Sequence, residues 1–341
     1  MKVLLTGAFG NIGTSAREEL LAQGHTVRCF DLKTKQNVRA ARRLKGQVEV
    51  VWGDLRREED VAAAVRDQEV VVHLAFIIPK LSATGVESEN RPDWSREINV
   101  GGTRNLLAAM QAQPRPPKLV FISSYHVYGM TQNQTPPLRA SDPVSPVEHY
   151  ARHKVECERM VWESRLEYVI LRLAAALPIT MRMDAGMFDI PPKNRMEFVH
   201  TRDVGRAIAN AVSSPDVWGK LLLVGGGPRC QYYYREIANR TLEAMGVGVL
   251  PEEAFSVKPF ATDWIDSSET EALLHYQQRD LGDYLQQMQR RLGMKRLLVR
   301  AFRPFVRMWL LNKSPYYCLH LARTNRWSWL WLWRRMLGQE P

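Results

Sequence analysis

Short apolar runs alternate with stretches of helical periodicity through the first half of this 341-residue chain. The runs Lys2–Thr6, His25–Phe30, Val48–Trp52, Glu69–Ala75, Lys118–Ile122 and Tyr168–Arg172 are five to seven residues long and rich in valine, leucine and isoleucine. They read as strands buried on both faces, as in a parallel sheet, rather than as half-exposed strands of strict alternation. Between them, residues 14–21, Trp94–Met110 and Val147–Ser164 carry apolar residues at helical spacing. Strand and helix in alternation predict an α/β fold with a doubly wound parallel sheet.

Beyond Ala174 the pattern loosens. Pro178, Gly186 and Pro191-Pro192 interrupt it; short strands follow at Glu197–His200 and Lys220–Val224, with helices at Asp203–Val212 and near Tyr232–Met245. The expected organisation is a nucleotide-binding domain over residues 1–175, a smaller C-terminal substrate-binding part over 176–293 interleaved with it, and a basic, Trp-rich tail over 294–341. A chain of this length is expected to divide beyond ~250–300 residues.

Between the first strand and the first helix lies Gly7-Ala8-Phe9-Gly10-Asn11-Ile12-Gly13. Strand, glycine turn and helix present backbone N–H groups and a positive helix end to a pyrophosphate, the arrangement of a Rossmann dinucleotide site. The spacing is G-x-x-G-x-x-G, so Gly7, Gly10, Asn11, Ile12 and Gly13 are expected to cradle the phosphates. Asp31 closes the second strand, where a carboxylate accepts from ribose hydroxyls and repels a 2′-phosphate. That favours NAD over NADP, although Lys33 and Lys35 stand close by.

Tyr150 and Lys154 are four residues apart on one predicted helix, so they share a face. A phenol titrates near ~10 and an acid/base works best near ~7, a gap of about 4 kcal/mol. An adjacent ammonium supplies roughly 1–3 units of that shift, and an oxidised nicotinamide is a source for the rest. Ser124, at the end of the fifth strand, is placed to hydrogen-bond the reacting oxygen.

Taken in order, these motifs and several others resemble the extended short-chain dehydrogenase/reductase family, the NAD-dependent epimerase/dehydratase group. The others are Gly53-Asp54-Leu55, His73-Leu74-Ala75, Asn99–Asn105, Ile122–Gly129 and Phe198–Val204. The resemblance covers about residues 1–290. It implies NAD held by the glycine loop, Asp31 at the ribose, Asp54 and Leu55 near the adenine, and Leu74 and Ala75 lining the cleft. It also implies Tyr150 as acid/base, Ser124 as its partner, Lys154 at the nicotinamide ribose and Asn99 as a support of the active-site backbone. Ser123 is expected to be structural.

Two departures bear on the substrate. Ala175 stands where epimerases and dehydratases of this group carry an asparagine that contacts the substrate diphosphate, and an alanine cannot donate that bond. Tyr125 and His126 stand where dehydratases carry an Asp-Glu pair, which argues against elimination of water and leaves His126 as an extra base.

Charge separates the tail from the rest. Lysine and arginine number 47 against 36 acidic residues. Residues 290–341 hold twelve of the former and only Glu340 of the latter, which leaves thirty-five of each in the remainder. Arg296, Arg300, Arg303 and Arg307 fall on one helical stripe, with Leu297, Leu298, Ala301, Phe302, Phe305, Met308 and Trp309 opposite; Pro304 is expected to kink the helix. Trp327, Trp329, Trp331 and Trp333 precede Arg334-Arg335. Such a segment suits an anionic membrane surface; the competing readings are a helix packed on the body or across a homodimer, and nucleic acid is disfavoured.

Four scattered cysteines without a C-x-x-C pair argue against a disulfide framework and against a metal site. The first apolar run breaks into glycine turns, so it is expected to be a strand and not a signal peptide. No run approaches the ~18 apolar residues of a membrane span. The expected location is cytoplasmic, or peripheral at the inner face of the membrane. The leading expectation is an NAD-dependent oxidoreductase acting at a carbinol carbon of a small-molecule substrate, of the sugar-nucleotide epimerase type. The alternatives are a membrane-associated dehydrogenase of a lipid-like or steroid-like alcohol, and a non-catalytic NAD-binding scaffold.

Overall fold

The computed structural model describes residues 1–79, 85–179 and 185–323. In chain order the elements open with β1 (Lys2–Thr6), α1 (Asn11–Ala22), β2 (Thr26–Asp31), α2 (Lys35–Arg42), β3 (Glu49–Trp52), α3 (Glu58–Val65) and β4 (Val70–His73). There follow α4 (Pro92–Arg96), α5 (Gly102–Gln111), β5 (Lys118–Ser124), α6 (His149–Glu163), β6 (Tyr168–Leu173), β7 (Arg195–Glu197), α7 (Thr201–Ser213) and β8 (Leu221–Val224). The chain ends with β9 (Gln231–Tyr233), α8 (Tyr234–Ala244), α9 (Ser268–Leu274), α10 (Leu281–Leu292), α11 (Lys295–Ala301), α12 (Arg303–Lys313) and α13 (Pro315–Arg323).

Seven strands form one parallel sheet in the order β3-β2-β1-β4-β5-β6-β8. Both of its faces are covered. Val3, Leu5, Val70, Val72, Val120, Ile122, Val169 and Leu171 pack into one apolar cluster. Their alternates Leu4, Val71, Leu119, Phe121 and Ile170 pack into the other. This is why the strands read as continuous apolar runs. The strand order reverses between β1 and β4, the switch point outside which α/β sheets bind ligands.

Backbone packing divides the chain into two compact units, and the division does not fall at one point. One unit holds residues 1–178, 195–232 and 261–281; the other holds 179–194, 233–260 and the chain from 282 on. Leu221–Val224 therefore belongs to the main sheet as β8 and not to a separate smaller body: its apolar residues complete the ladder along β6. The second unit contains α8, α11, α12 and α13, with Tyr234 donating to the Met187 carbonyl (2.8 Å) and Tyr316 to Asp189 (3.0 Å).

Three predicted elements differ in detail. The helix expected over Trp94–Met110 is two helices joined by a π-helical turn at Glu97–Gly101. The fourth strand stops at His73, because the Leu74 and Ala75 amides leave the ladder and donate to Thr6 Oγ1 (3.1 and 3.2 Å). In the tail, Phe302 separates α11 from α12, and Pro304 occupies the first turn of α12, where its missing N–H costs nothing. Trp327, Trp329, Trp331, Trp333, Arg334 and Arg335 lie outside the described residues.

Candidate active site

The glycine loop closes over a tight turn. Gly7 has φ +67°, and a Cβ there would approach the Ala75 nitrogen to 2.9 Å. A Cβ on Gly13 would overlap the Gly7 carbonyl oxygen, so helix and loop meet backbone to backbone. Gly10 N donates to Gly7 O (3.0 Å), and Gly10 is the N-cap of α1 without any side-chain cap. The first-turn amides of Asn11, Ile12 and Gly13 have no carbonyl of their own helix to bond. Asn11 is exposed, with its amide 3.5 Å from the Ala176 carbonyl, while Ile12 packs against the core. Room for an approaching oxyanion, free N–H groups and a positive helix end are what a dinucleotide pyrophosphate requires.

Asp31 ends β2 beside this loop. Its carboxylate accepts from Phe9 N (3.0 Å), Leu32 N (2.8 Å) and Asn37 Nδ2 (3.1 Å). Burial raises its pKa and these three bonds oppose the rise. Gly53 N donates to the Asp31 carbonyl (3.1 Å), which brings the Gly53-Asp54-Leu55 turn alongside. Asp54 is bound by Arg56 (2.6 Å), whose hydrogen bond lowers its pKa. Leu55 is buried, and Asn105 Nδ2 donates to its carbonyl (3.0 Å).

A buried chain of hydrogen bonds supports the loop from below. Thr6 Oγ1 pairs with His73 Nδ1 (2.8 Å), and His73 Nε2 pairs with Thr103 Oγ1 on α5 (3.0 Å). Burial pushes the His73 imidazole down to about 3, so it is neutral at ordinary pH. Asn99, expected among the cofactor-binding residues, sits in the π turn. It accepts from Ile77 N (2.6 Å) and donates to Ile77 O (3.0 Å), fixing the chain just after β4.

The candidate catalytic groups stand at the end of β5 and the start of α6. Ser124 closes β5 and Tyr150 opens α6, and the Ser124 side chain stands near enough to the phenol to pull its pKa down. Successive strand residues point to opposite sides, so Ser123 turns away and donates to Glu158 (2.5 Å). Lys154, one turn beyond Tyr150, donates to the Ile122 carbonyl (2.6 Å), and its Nζ lies 3.4 Å from the Phe76 ring centre. Phe76 also meets Tyr150 edge to face at 5.8 Å. The segment Leu74–Phe76 thus touches both halves of the site: Ala75 lies against Gly7, and Phe76 against Tyr150 and Lys154.

The electrostatics run opposite to the expectation of a lowered phenol. Burial drives the Tyr150 pKa up, against the opposing pull of the neighbouring Ser124 hydroxyl, and burial brings the Lys154 ammonium down to about 7. Lys154 has turned to the Ile122 carbonyl and the Phe76 face, so its charge does not offset desolvation of the phenol.

Several supporting residues escaped the sequence reading. Glu89 caps α6 by accepting from His149 N (3.1 Å) and Tyr150 N (3.0 Å), which fixes the first turn that carries the phenol. Nothing local in the sequence marks Glu89 as that cap. Glu158 forms a buried ion pair with Arg172 (2.7 Å). Here there was a signal: Glu158 continues the Tyr150, Lys154 stripe at i+8, and Arg172 sits inside an apolar strand. His126 pairs with Glu148 (2.8 Å), its ring 6.1 Å from that of Tyr150. Ala175 is held by its backbone, donating to Glu197 O (3.1 Å) and accepting from Val199 N (3.0 Å).

The model of the NAD dependent epimerase/dehydratase family matches residues 3–178, just over half of the chain. Over 167 residues the chain is 35% identical to a 3 beta-hydroxysteroid dehydrogenase/Delta 5→4-isomerase of Mycobacterium tuberculosis, covering 47% of this chain and 42% of that protein. It is 32% identical over 223 residues to UDP-glucose 4-epimerase 4 of Oryza sativa subsp. japonica, covering 60% and 57%. The chain thus spans less than two thirds of the length of either relative. Among solved structures, a UDP-glucose-4-epimerase from Stenotrophomonas maltophila with bound NAD and formylated UDP-arabinopyranose superposes with a TM-score of 0.71. It is 22% identical and covers 88% of this chain and 99% of that one, a likeness that speaks for the fold alone. With its seven-stranded parallel sheet and the family match running from β1 through β6, the chain belongs to the NAD-dependent epimerase/dehydratase family of extended short-chain dehydrogenases/reductases.

Proposed function

We propose that this protein is an NAD-dependent enzyme that oxidises a carbinol carbon of a sugar nucleotide and returns the hydride to the opposite face, a net epimerisation. The observation that carries the reading is the juxtaposition of Ser124, at the end of β5, with the Tyr150 phenol at the start of α6, with Lys154 one helical turn away. A scaffold without turnover has no use for that group.

When bound, NAD supplies the hydride acceptor and the positive charge of an oxidised ring. The residues of the chain do the rest. The amides of the glycine loop hold the pyrophosphate, and Asp31 receives the ribose hydroxyls. Ser124 orients the substrate hydroxyl, and Tyr150 Oη takes its proton as the carbonyl forms and gives a proton back when the carbonyl is reduced. Lys154, once drawn from the Phe76 face toward the ribose and the phenol, stabilises the phenolate.

Sugar nucleotides are the favoured substrate class because the rice relative named above is a UDP-glucose 4-epimerase. Neither the Ala175 side chain nor its amide donates to a substrate phosphate, since that N–H is bonded to Glu197, so the diphosphate grip falls to other residues. Cytoplasmic residence, homodimer formation and peripheral attachment through the tail belong to the same proposal. Among the described residues no helix is long and apolar enough to cross a membrane.

The test is incubation of the purified protein with NAD and a panel of UDP- and dTDP-hexoses, followed by separation of epimers, with a 3β-hydroxysterol run in parallel. Epimer formation without accumulation of free NADH is expected. Oxidation of the sterol with release of NADH, and no change in any sugar nucleotide, would overturn the substrate class.

A further inference from the structure

Alone, the amphipathic pattern of the tail is silent on which face meets the protein. In α12 the side that meets the protein carries Arg303 and Arg307 together with buried Leu310. Arg303 Nε donates to the Val247 carbonyl (3.0 Å), and Arg307 donates to the Val249 carbonyl. Gly246 lies against the α11 backbone, where a Cβ would come within 3.0 Å of the Arg296 carbonyl oxygen. Arg303 and Arg307 of α12 and the Arg296 backbone of α11 therefore rest on the 246–249 turn of their own unit, while the Arg300 side chain is exposed.

Most of the large apolar side chains of α11 and α12 lie away from that contact. Met294, Leu297, Leu298, Phe302, Phe305 and Trp309 are between 50% and 82% exposed. A contiguous ridge of large apolar side chains on a water-soluble surface marks a docking site. Its occupant has to suit the charge as well. Residues 290–323 contain nine lysines and arginines and no aspartate or glutamate. Lys295, Arg300 and Lys313 are exposed beside the ridge, with Lys313 Nζ 4.1 Å from the Trp309 ring centre. Two copies meeting through this face would set cations against cations, which disfavours a symmetric dimer here. An anionic lipid surface satisfies both features: apolar side chains enter the acyl boundary while cations and tryptophan lie among the headgroups.

We propose that the ridge Leu297–Trp309 is a docking surface for an anionic membrane, entered by Leu298, Phe302 and Phe305 and held by Lys295, Arg300 and Lys313 at the phosphates. This rests on the tail part of the reading above and not on its chemistry, so vesicle binding and turnover are measured separately.

The full chain is sedimented with phosphatidylcholine vesicles, alone or with roughly 30% phosphatidylserine. Wild type is expected to bind the anionic vesicles at least about tenfold better than the neutral ones, and less well at high salt. Leu298→Ser/Phe305→Ser should weaken that binding roughly tenfold with melting temperature and solution mass unchanged, because both side chains are exposed. Lys295→Glu/Arg300→Glu should remove the preference for the anionic vesicles. Equal binding to both vesicle types by wild type, or variants that bind as wild type does, would overturn the proposal. So would a serine variant that changes the solution mass while vesicle binding stays, which would give the face to a second copy.

Discussion

The Lys154 ammonium lies 3.4 Å from the centre of the Phe76 ring and donates to the Ile122 carbonyl at 2.6 Å. A cation over an aromatic face is stabilised, but by less than its lost hydration, and burial accordingly brings this lysine down to about 7. Between pH 7 and its unfolded value near ~10.4 the unfolded chain carries a proton that the folded chain lacks. Folded stability should therefore rise with pH across that window, and the full cost of the buried charge is felt below it. Lys154→Met should be more stable than wild type at pH 6, on the order of 2 kcal/mol, with the gap closing toward pH 10. Denaturant melts of the two proteins at pH 6, 8 and 10 check this, and the variant should have lost turnover.

Arg172 and Glu158 form a second buried relationship, with two bonds of 2.9 and 2.7 Å between guanidinium and carboxylate. Ser123 donates to the same carboxylate, and Arg172 also donates to the Tyr128 hydroxyl (2.8 Å). The network ties the end of β5 to α6, and so Ser124 to Tyr150. Arg172→Met leaves Glu158 buried without its charge partner and should cost about 3–5 kcal/mol. Arg172→Met/Glu158→Leu should recover part of that loss in the same denaturation experiment.

In the proposed function, cofactor choice rests on Asp31. Removing its carboxylate frees Phe9 N and takes away the acceptor for the ribose hydroxyls, while Lys33 and Lys35 remain beside the site. Asp31→Ser is expected to weaken NAD binding roughly tenfold and to improve NADP binding relative to NAD. Calorimetric titration with each nucleotide measures both.

What the sequence made legible was whatever depends on local pattern. Buried parallel strands read as apolar runs, and the turn Gly7–Gly13 announced itself by spacing. The pairing of Tyr150 with Lys154 followed from helical periodicity. What stayed hidden depends on distant partners. The cap that Glu89 places on α6 joins residues 60 apart, and the line from Thr103 through His73 to Thr6 joins three elements. The π turn at Asn99 is invisible because the apolar pattern runs through it unbroken. In the tail the periodicity predicted one arginine stripe, but the chain breaks at Phe302, so Arg303 and Arg307 bond the Val247 and Val249 carbonyls while Arg300 is exposed. The phenol misled for a related reason: adjacency on a helix said that Lys154 was near, and burial plus the turn toward Phe76 decided the sign of the Tyr150 shift.

The central claim is that Tyr150 moves the substrate proton. It is tested most directly by turnover of the epimerised sugar nucleotide by wild type and by Tyr150→Phe, with NAD affinity measured on both proteins. The account predicts a loss of about 10²–10⁴-fold in turnover with NAD binding within about twofold of wild type, because the phenol lies beside Ser124, Phe76 and His126 rather than in the glycine loop. Undiminished turnover in Tyr150→Phe would contradict it.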